Sequence, residues 1–280
     1  MSTNTPLHFR YADLRWLAFL SLLIVVTRLP LISEMVYGDG IHYALGLKDF
    51  NVSEQRPHPP GNPLFVLTAK PFSLLGLNDN HALITASILY SIITVLFIYL
   101  ICRDLVSRKL AQAASLIFCF VPLFWFEGEV PHSNTAGAAG CAIVAYFALQ
   151  VFLREKKLPA IFVLAAAFGL GGGLRQDLLV HMFPLVFWTL LRHWNGWRTF
   201  LTVMAIIGFT IALWYVPMVL LSGGYQNYAA ATSRQFNYHV TRSSILFGNS
   251  LFSHFRMIKE FLLCLIGTAF IPLFYLSLYW

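Results

Sequence analysis

Three short strings gather charged groups beside glycine and proline in a chain of 280 residues: Y-G-D-G-I-H-Y at 37–43, R-P-H-P-P-G-N-P at 56–63 and G-G-G-L-R-Q-D at 171–177. In the first, Asp39 lies between two glycines just past a long apolar run. A carboxylate there is within reach of a lipid head group and of a water-soluble partner. G-D-G is equally good turn chemistry. In the second, proline fixes its own φ and pushes its predecessor out of the helical region. Arg56 and His58 are therefore expected on a stiff extended strip, as ligand-binding groups or as a loop spacer. In the third, consecutive glycines each cost a helix about 1 kcal/mol relative to alanine. Close backbone approach or a broken helix lining a cavity would justify that cost. Arg175 beside the run suits a phosphate through a bidentate contact. An Arg175–Asp177 pair at the membrane edge is the simpler alternative.

Two further clusters qualify. Glu127, Glu129 and His132 fall within W-F-E-G-E-V-P-H-S-N. A Glu-x-Glu with a nearby His is a pattern that could bind a divalent cation, the one cofactor the sequence suggests; it is equally the composition of a solvated loop. Arg234, His239 and Arg242 stand among Tyr225, Tyr228, Phe236 and Tyr238. Basic groups interleaved with aromatics fit a phosphate-plus-sugar ligand, and fit a membrane-interface belt as well. His181 is expected to be a buried, hydrogen-bonded core residue.

The elements that must position these groups are set by composition. Hydrophobic residues make up 58% of the chain and charged residues 11%, against ~25% charged in a soluble domain. This excludes a soluble globular enzyme and a disordered chain, and four cysteines exclude a disulfide scaffold. The class is all-α: a polytopic transmembrane helical bundle. Apolar runs long enough to cross a bilayer predict spans near 14–32, 82–101, 110–126, 135–153, 158–172, 174–191, 199–221 and 257–280, about eight in all. The connecting segments alternate between short basic ones and longer ones bearing acids, His, Gly and Pro. Basic loops stay in the cytoplasm, so the N-terminus is inside. Ten basic and three acidic residues fall on that side, which accounts for the whole net charge of +7. Nucleic acid is therefore not an implied partner; the bilayer is. The candidate chemistry collects on the other side. There residues 33–80 form a first outer loop with two interfacial helices, I-H-Y-A-L-G-L-K-D-F and N-P-L-F-V-L-T-A-K-P-F-S-L-L-G. The whole of 1–280 reads as a single module. Because it ends at Trp280 inside an apolar run, it is expected to be the N-terminal part of a longer protein.

These pieces in this order resemble the GT-C glycosyltransferases, and within them bacterial members of the family 39 and ArnT-like group, related to protein O-mannosyltransferases and lipid A aminoarabinose transferases. The resemblance rests on Y-G-D-G-I-H-Y-A-L-G-L-K-D-F, R-P-H-P-P-G-N-P-L-F and G-G-G-L-R-Q-D-L-L-V-H-M-F-P-L and covers about residues 14–221. It implies a GT-C-like fold and transfer of a monosaccharide, with inversion, from a polyprenyl-phosphate-linked sugar donor to an acceptor hydroxyl of a lipid, glycan or protein. It implies Asp39 as general base, and Arg175 with His58 at the lipid phosphate. Arg56, Asp177, Arg234 and Arg242 are expected to contribute to the same substrate site. The implied location is a bacterial inner membrane with the site facing the periplasm. Protein mannosyltransferases usually carry an acid directly after that Asp, where this chain has Gly40. The rival class is a transporter or lipid flippase, for which a Gly-broken helix and outer-face ionisable groups would also serve.

Overall fold

The computed structural model describes residues 11–33, 38–153, 157–243, 250–252, 254–260, 262, 263 and 266. Among these there is no β-strand, only an isolated bridge between Asn51 and Arg56. The helices are α1 (Tyr11–Arg28), α2 (Gly38–Lys48), α3 (Pro63–Leu74), α4 (Asp79–Leu105), α5 (Arg108–Cys119), α6 (Pro122–Glu127), α7 (Asn134–Leu153), α8 (Lys157–Leu174), α9 (Asp177–Arg192), α10 (Gly196–Leu221) and α11 (Tyr225–Ser243). Backbone polar groups cannot stay unpaired in hydrocarbon, and a helix satisfies them within one segment.

Among the described residues, five helical segments are long and apolar enough to cross a bilayer: Tyr11–Leu31, α4, α7, α8 and α10. The predicted span at 110–126 is not one helix. Pro122 lacks an N–H and holds Val121 extended, at φ −61° and ψ 119°, so the segment divides into α5 and α6. The pair still runs from one end of the bundle to the other: Arg108 meets Asp13 at one end, and Glu129 meets Ser33 at the opposite end. The predicted span at 174–191 becomes α9, 16 residues or about 24 Å, short of a ~30 Å hydrocarbon core. It too travels the bundle, from Asp177 at the cavity described below to His193 beside Lys157 at the start of α8. Most of 257–280 lies outside the described residues, and the expected count of eight is not confirmed among the described residues. Residues 222–256, expected as a loop, contain α11 instead. His181, expected in the core, is exposed on α9.

The glycine run does not break α8. Each glycine faces a neighbour that a methyl group would strike. A Cβ on Gly169 would sit 2.0 Å from Thr210 Oγ1, and one on Gly173 would sit 2.7 Å from Leu64 and 2.8 Å from Trp214. Small residues let transmembrane helices meet backbone to backbone, and Trp214 Nε1 donates to the Gly169 carbonyl at 2.9 Å. The expected result for Gly169→Ala is a loss of about 1–3 kcal/mol, read as a lower thermal midpoint in detergent. An unchanged midpoint would show that α8 and α10 can separate at no cost.

At the end of the bundle opposite the cavity, Asp13 accepts hydrogen bonds from Tyr99 and from Arg108 Nε at 3.0 Å. Arg103 binds Asp104 at 2.8 Å, and Gln150 Nε2 donates to Asp104 at 2.9 Å. Asp13, Arg103 and Asp104 are buried, and charges desolvated in this way persist only when paired. The cluster ties α1, α4, α5 and α7 together at one end.

Candidate functional site

At the other end, four chain segments converge on a cavity of about 200 Å³ lined by Asp39, Tyr43, His58, Asn62, Ser133, Arg175 and their neighbours. Asp39 is in the first turn of α2, and Tyr43 follows one turn later on the same face. His58 and Asn62 come from the proline-rich link to α3. Ser133 and Asn134 open α7. Arg175, Gln176 and Asp177 form the turn between α8 and α9, where the last glycines have brought the backbone close to α3 and α10.

The carboxylate and the imidazole differ in access. Asp39's side chain is 63% exposed and His58's 15%. Asp39 Oδ2 lies 3.9 Å from His58 Nε2, too far for a hydrogen bond. The carboxylate is thus free to accept a proton from an incoming group. Burial pushes the His58 imidazole below its usual pKa; Asp39 pulls the other way, and His42 adds to the lowering. Its Nδ1 is buried and has no hydrogen-bond partner among the described residues. Below His58, Asn62 Nδ2 donates to Tyr43 Oη at 2.6 Å and to Ser133 Oγ at 3.1 Å, and those two hydroxyls lie 3.0 Å apart. Burial raises the Tyr43 phenol, and its hydrogen bonds with Ser133 and Asn62 only partly offset this.

Arg175 spans the opposite part of the lining. Its Nε donates to both Asp177 carboxylate oxygens, at 3.0 and 3.1 Å, and its Nη1 donates to Asn134 Oδ1. Asn134 Nδ2 donates to Glu127 Oε2 at 2.7 Å, with His132 Nδ1 3.7 Å from the same oxygen. Gly137 makes room for the guanidinium stem: a Cβ there would sit 2.6 Å from Arg175 Cδ. Gln176 Nε2 donates to the Pro60 carbonyl at 2.9 Å and approaches Tyr228 Oη at 3.3 Å, joining the α8–α9 turn to the proline link and to α11.

The sequence-derived candidates therefore separate. Asp39, His58, Arg175 and Asp177 share the cavity. Arg56 does not line it; it pairs with Asp49 at 2.9 Å and with Glu54, closing the 49–56 loop. Arg234 is exposed on α11 away from the lining. Arg242 falls in α11, but its side chain lies outside the described residues. Glu127 and Glu129 have different surroundings. Glu127 faces Asn134 and His132, whereas Glu129 feels Trp125 and Arg28. Among the described residues no group of three His, Cys, Asp or Glu side chains could hold a metal ion. Sequence reasoning missed Tyr43, Asn62 and Gln176. Tyr43 was open to detection, four residues beyond Asp39 on a predicted helix. Asn62 and Gln176 had no signal beyond membership of their strings.

An apolar groove of about 420 Å³ runs between α2, α3 and α10, lined by Leu64, Leu67, Leu213, Pro217, Met218 and Leu221 among others. It lies next to the cavity at Met218, whose Sδ is 3.6 Å from Gln176 Nε2.

Residues 57–221 match the model of a protein family described as dolichyl-phosphate-mannose-protein mannosyltransferase. The match includes His58, Asn62, Ser133 and Arg175 and begins after Asp39 and Tyr43. Comparison with curated proteins and with solved structures finds no match.

Proposed function

The chain belongs to the dolichyl-phosphate-mannose-protein mannosyltransferase family and is a membrane glycosyltransferase of the GT-C type, and from that premise we propose that its cavity transfers one monosaccharide from a polyprenyl-phosphate donor to an acceptor hydroxyl. The observation that carries this reading is the pairing of an open carboxylate, Asp39, with a guanidinium, Arg175, on the lining of one cavity. Asp39 takes the proton of the acceptor hydroxyl as its oxygen attacks the anomeric carbon. The bond from that carbon to the phosphate oxygen breaks, and the polyprenyl phosphate departs with the electron pair. One base and a single displacement invert the anomeric centre. Arg175 faces the charge that builds on the departing phosphate. Asp177 neutralises that guanidinium until the donor arrives. The isoprenoid chain lies in the apolar groove that adjoins the cavity at Met218. The site faces the periplasm, since Arg103, Arg108, Arg192 and Lys157 mark the opposite end as cytoplasmic. A bacterial inner membrane is the proposed location.

The test is sugar transfer in proteoliposomes from a radiolabelled polyprenyl-phosphate hexose to acceptors of the lipid, glycan and peptide classes. Labelled acceptor is the expected product, with free polyprenyl phosphate in equal amount. Label accumulating inside the vesicles without a new glycoside would overturn the reading in favour of a transporter.

A further inference from the structure

At the end of the bundle opposite the transfer cavity, a larger cavity opens between the first turn of α8 and the end of α9. Its volume is about 710 Å³, and Lys157, Leu158, Ile161, Arg192, His193 and Trp194 are among its lining residues. That size is in the range of pockets that hold small molecules. Lys157 Nζ donates to His193 Nδ1 at 3.2 Å. Burial, with Lys157 and Arg192 beside it, holds the His193 imidazole below its usual pKa. The fixed charges are therefore those of Lys157 and Arg192, both exposed. No Asp or Glu is among the described lining residues, and neither cation has an ion-pair partner among the described residues. The two connecting segments here, R-E-K-K at 154–157 and R-H-W-N-G-W-R at 192–198, hold five basic residues against one acid. Lys157 also stands at the positive end of α8, where a cation is disfavoured.

The rest of the lining is largely apolar, from Leu158, Ile161 and the Trp194 ring. Trp194 is 49% and Trp197 70% exposed, and their rings meet at 5.2 Å between centroids. Indole rings left open in this way suit the level where spans enter a bilayer, and the spanning helices α8 and α10 begin here, at Lys157 and Gly196. A pocket with fixed cations on one wall and apolar groups on the other suits an amphiphile whose head is an anion. A free phosphate would leave the apolar wall wet, and a hydrocarbon chain alone would leave the cations unmatched. The amine of a zwitterionic lipid would bring a further cation to a lining without a described acid. Basic pockets between transmembrane helices are a recurrent seat for anionic headgroups, and Arg and Lys both bind phosphate oxygens. We propose that this cavity binds one anionic phospholipid from the leaflet on that side, with Lys157 and Arg192 on the phosphate and Leu158 and Ile161 against the start of an acyl chain.

The test follows the thermal midpoint of the full-length protein in a nonionic detergent as phospholipid is added, since a ligand held by the folded state raises that midpoint with its occupancy. Phosphatidylglycerol should raise it saturably, and phosphatidylcholine with the same chains should do so only at a much higher mole fraction. Glycerol phosphate and inorganic phosphate at the same concentrations should leave it unchanged. Each cation near a membrane surface contributes about fivefold in apparent affinity. Lys157→Gln and Arg192→Gln should each weaken phosphatidylglycerol by that factor, and the double variant by both factors together. Lys109→Gln removes an exposed cation from the same end of the bundle but outside the cavity, and should respond as wild type does. An equal loss in Lys109→Gln would overturn the pocket in favour of diffuse attraction to a charged surface. No response to phosphatidylglycerol, or an equal response to phosphatidylcholine, would overturn the anionic lipid. Equal stabilisation by inorganic phosphate or glycerol phosphate would overturn a lipid in favour of a free anion. Where the double variant fails to fold, the two single variants decide the point. The readout requires no sugar transfer, so failure of the transferase reading leaves this result interpretable.

Discussion

Asp39→Asn stops sugar transfer and leaves the protein folded. The substitution keeps the size of the side chain and removes its ability to take a proton. General base assistance is worth ~10²–10⁴-fold in rate, and the transfer rate should fall by that order. Stability should hardly change. Asp39 is 63% exposed and its ion-pair partner among the described residues is His58 at 3.9 Å, an imidazole whose pKa burial lowers. A contact of 3.9 Å between an exposed carboxylate and an imidazole contributes little. The measurement combines the initial rate of labelled-sugar transfer, donor affinity and the thermal midpoint of the same preparation. A selective loss of rate supports the base assignment. Full activity in Asp39→Asn would remove Asp39 from the chemistry and leave the family membership untouched.

Arg175→Ala has the second-largest expected effect, about 10²–10³-fold in rate, the scale seen when one donor to a developing anion is removed. This variant differs from Asp39→Asn in its structural cost. Arg175 links Asp177 to Asn134 and, through Asn134, to Glu127. Its loss leaves Asp177 without its ion pair and opens space above Gly137. A modest fall in thermal midpoint should accompany the loss of rate. Arg175→Lys separates the two contributions: it keeps the charge but loses the bidentate fork, so activity should return in part. The dependence on leaving group gives a sharper test. If Arg175 stabilises the departing phosphate, the defect should shrink for a donor whose leaving group is already a weak base. A defect of equal size for all leaving groups would point to a role in shaping the cavity alone.

Much of the architecture was legible in the residues because hydropathy is a local property. A run such as Ala82–Ile101 must hide its backbone polar groups in a helix wherever it sits, and the spans predicted near α1, α4, α7, α8 and α10 correspond to the long helices observed. The segments that misled show where local reading ends. Residues 110–126 read as one span because hydropathy averages over Pro122, whose effect is steric and confined to a single bond. Residues 225–243 read as a loop because their polarity is that of a surface. The helix there is held through Tyr228, which reaches Pro60 and Gln176, contacts far away in the chain.

By itself the sequence determined the class of the protein, the alternation of its loops and the three strings that hold Asp39, His58 and Arg175. All of these depend on the transfer of side chains out of water or on the steric limits of Gly and Pro, and act over a few residues. Only the tertiary structure decided which charged groups meet. It turned Arg56 outward to Asp49 and left Arg234 exposed outside the lining. It showed that the glycine run packs an intact helix instead of breaking one. It also brought Tyr43, Asn62 and Ser133 within hydrogen-bond distance across separations of 19, 71 and 90 residues. A hydrogen bond depends on tenths of an ångström, and those are set by how whole helices seat against one another.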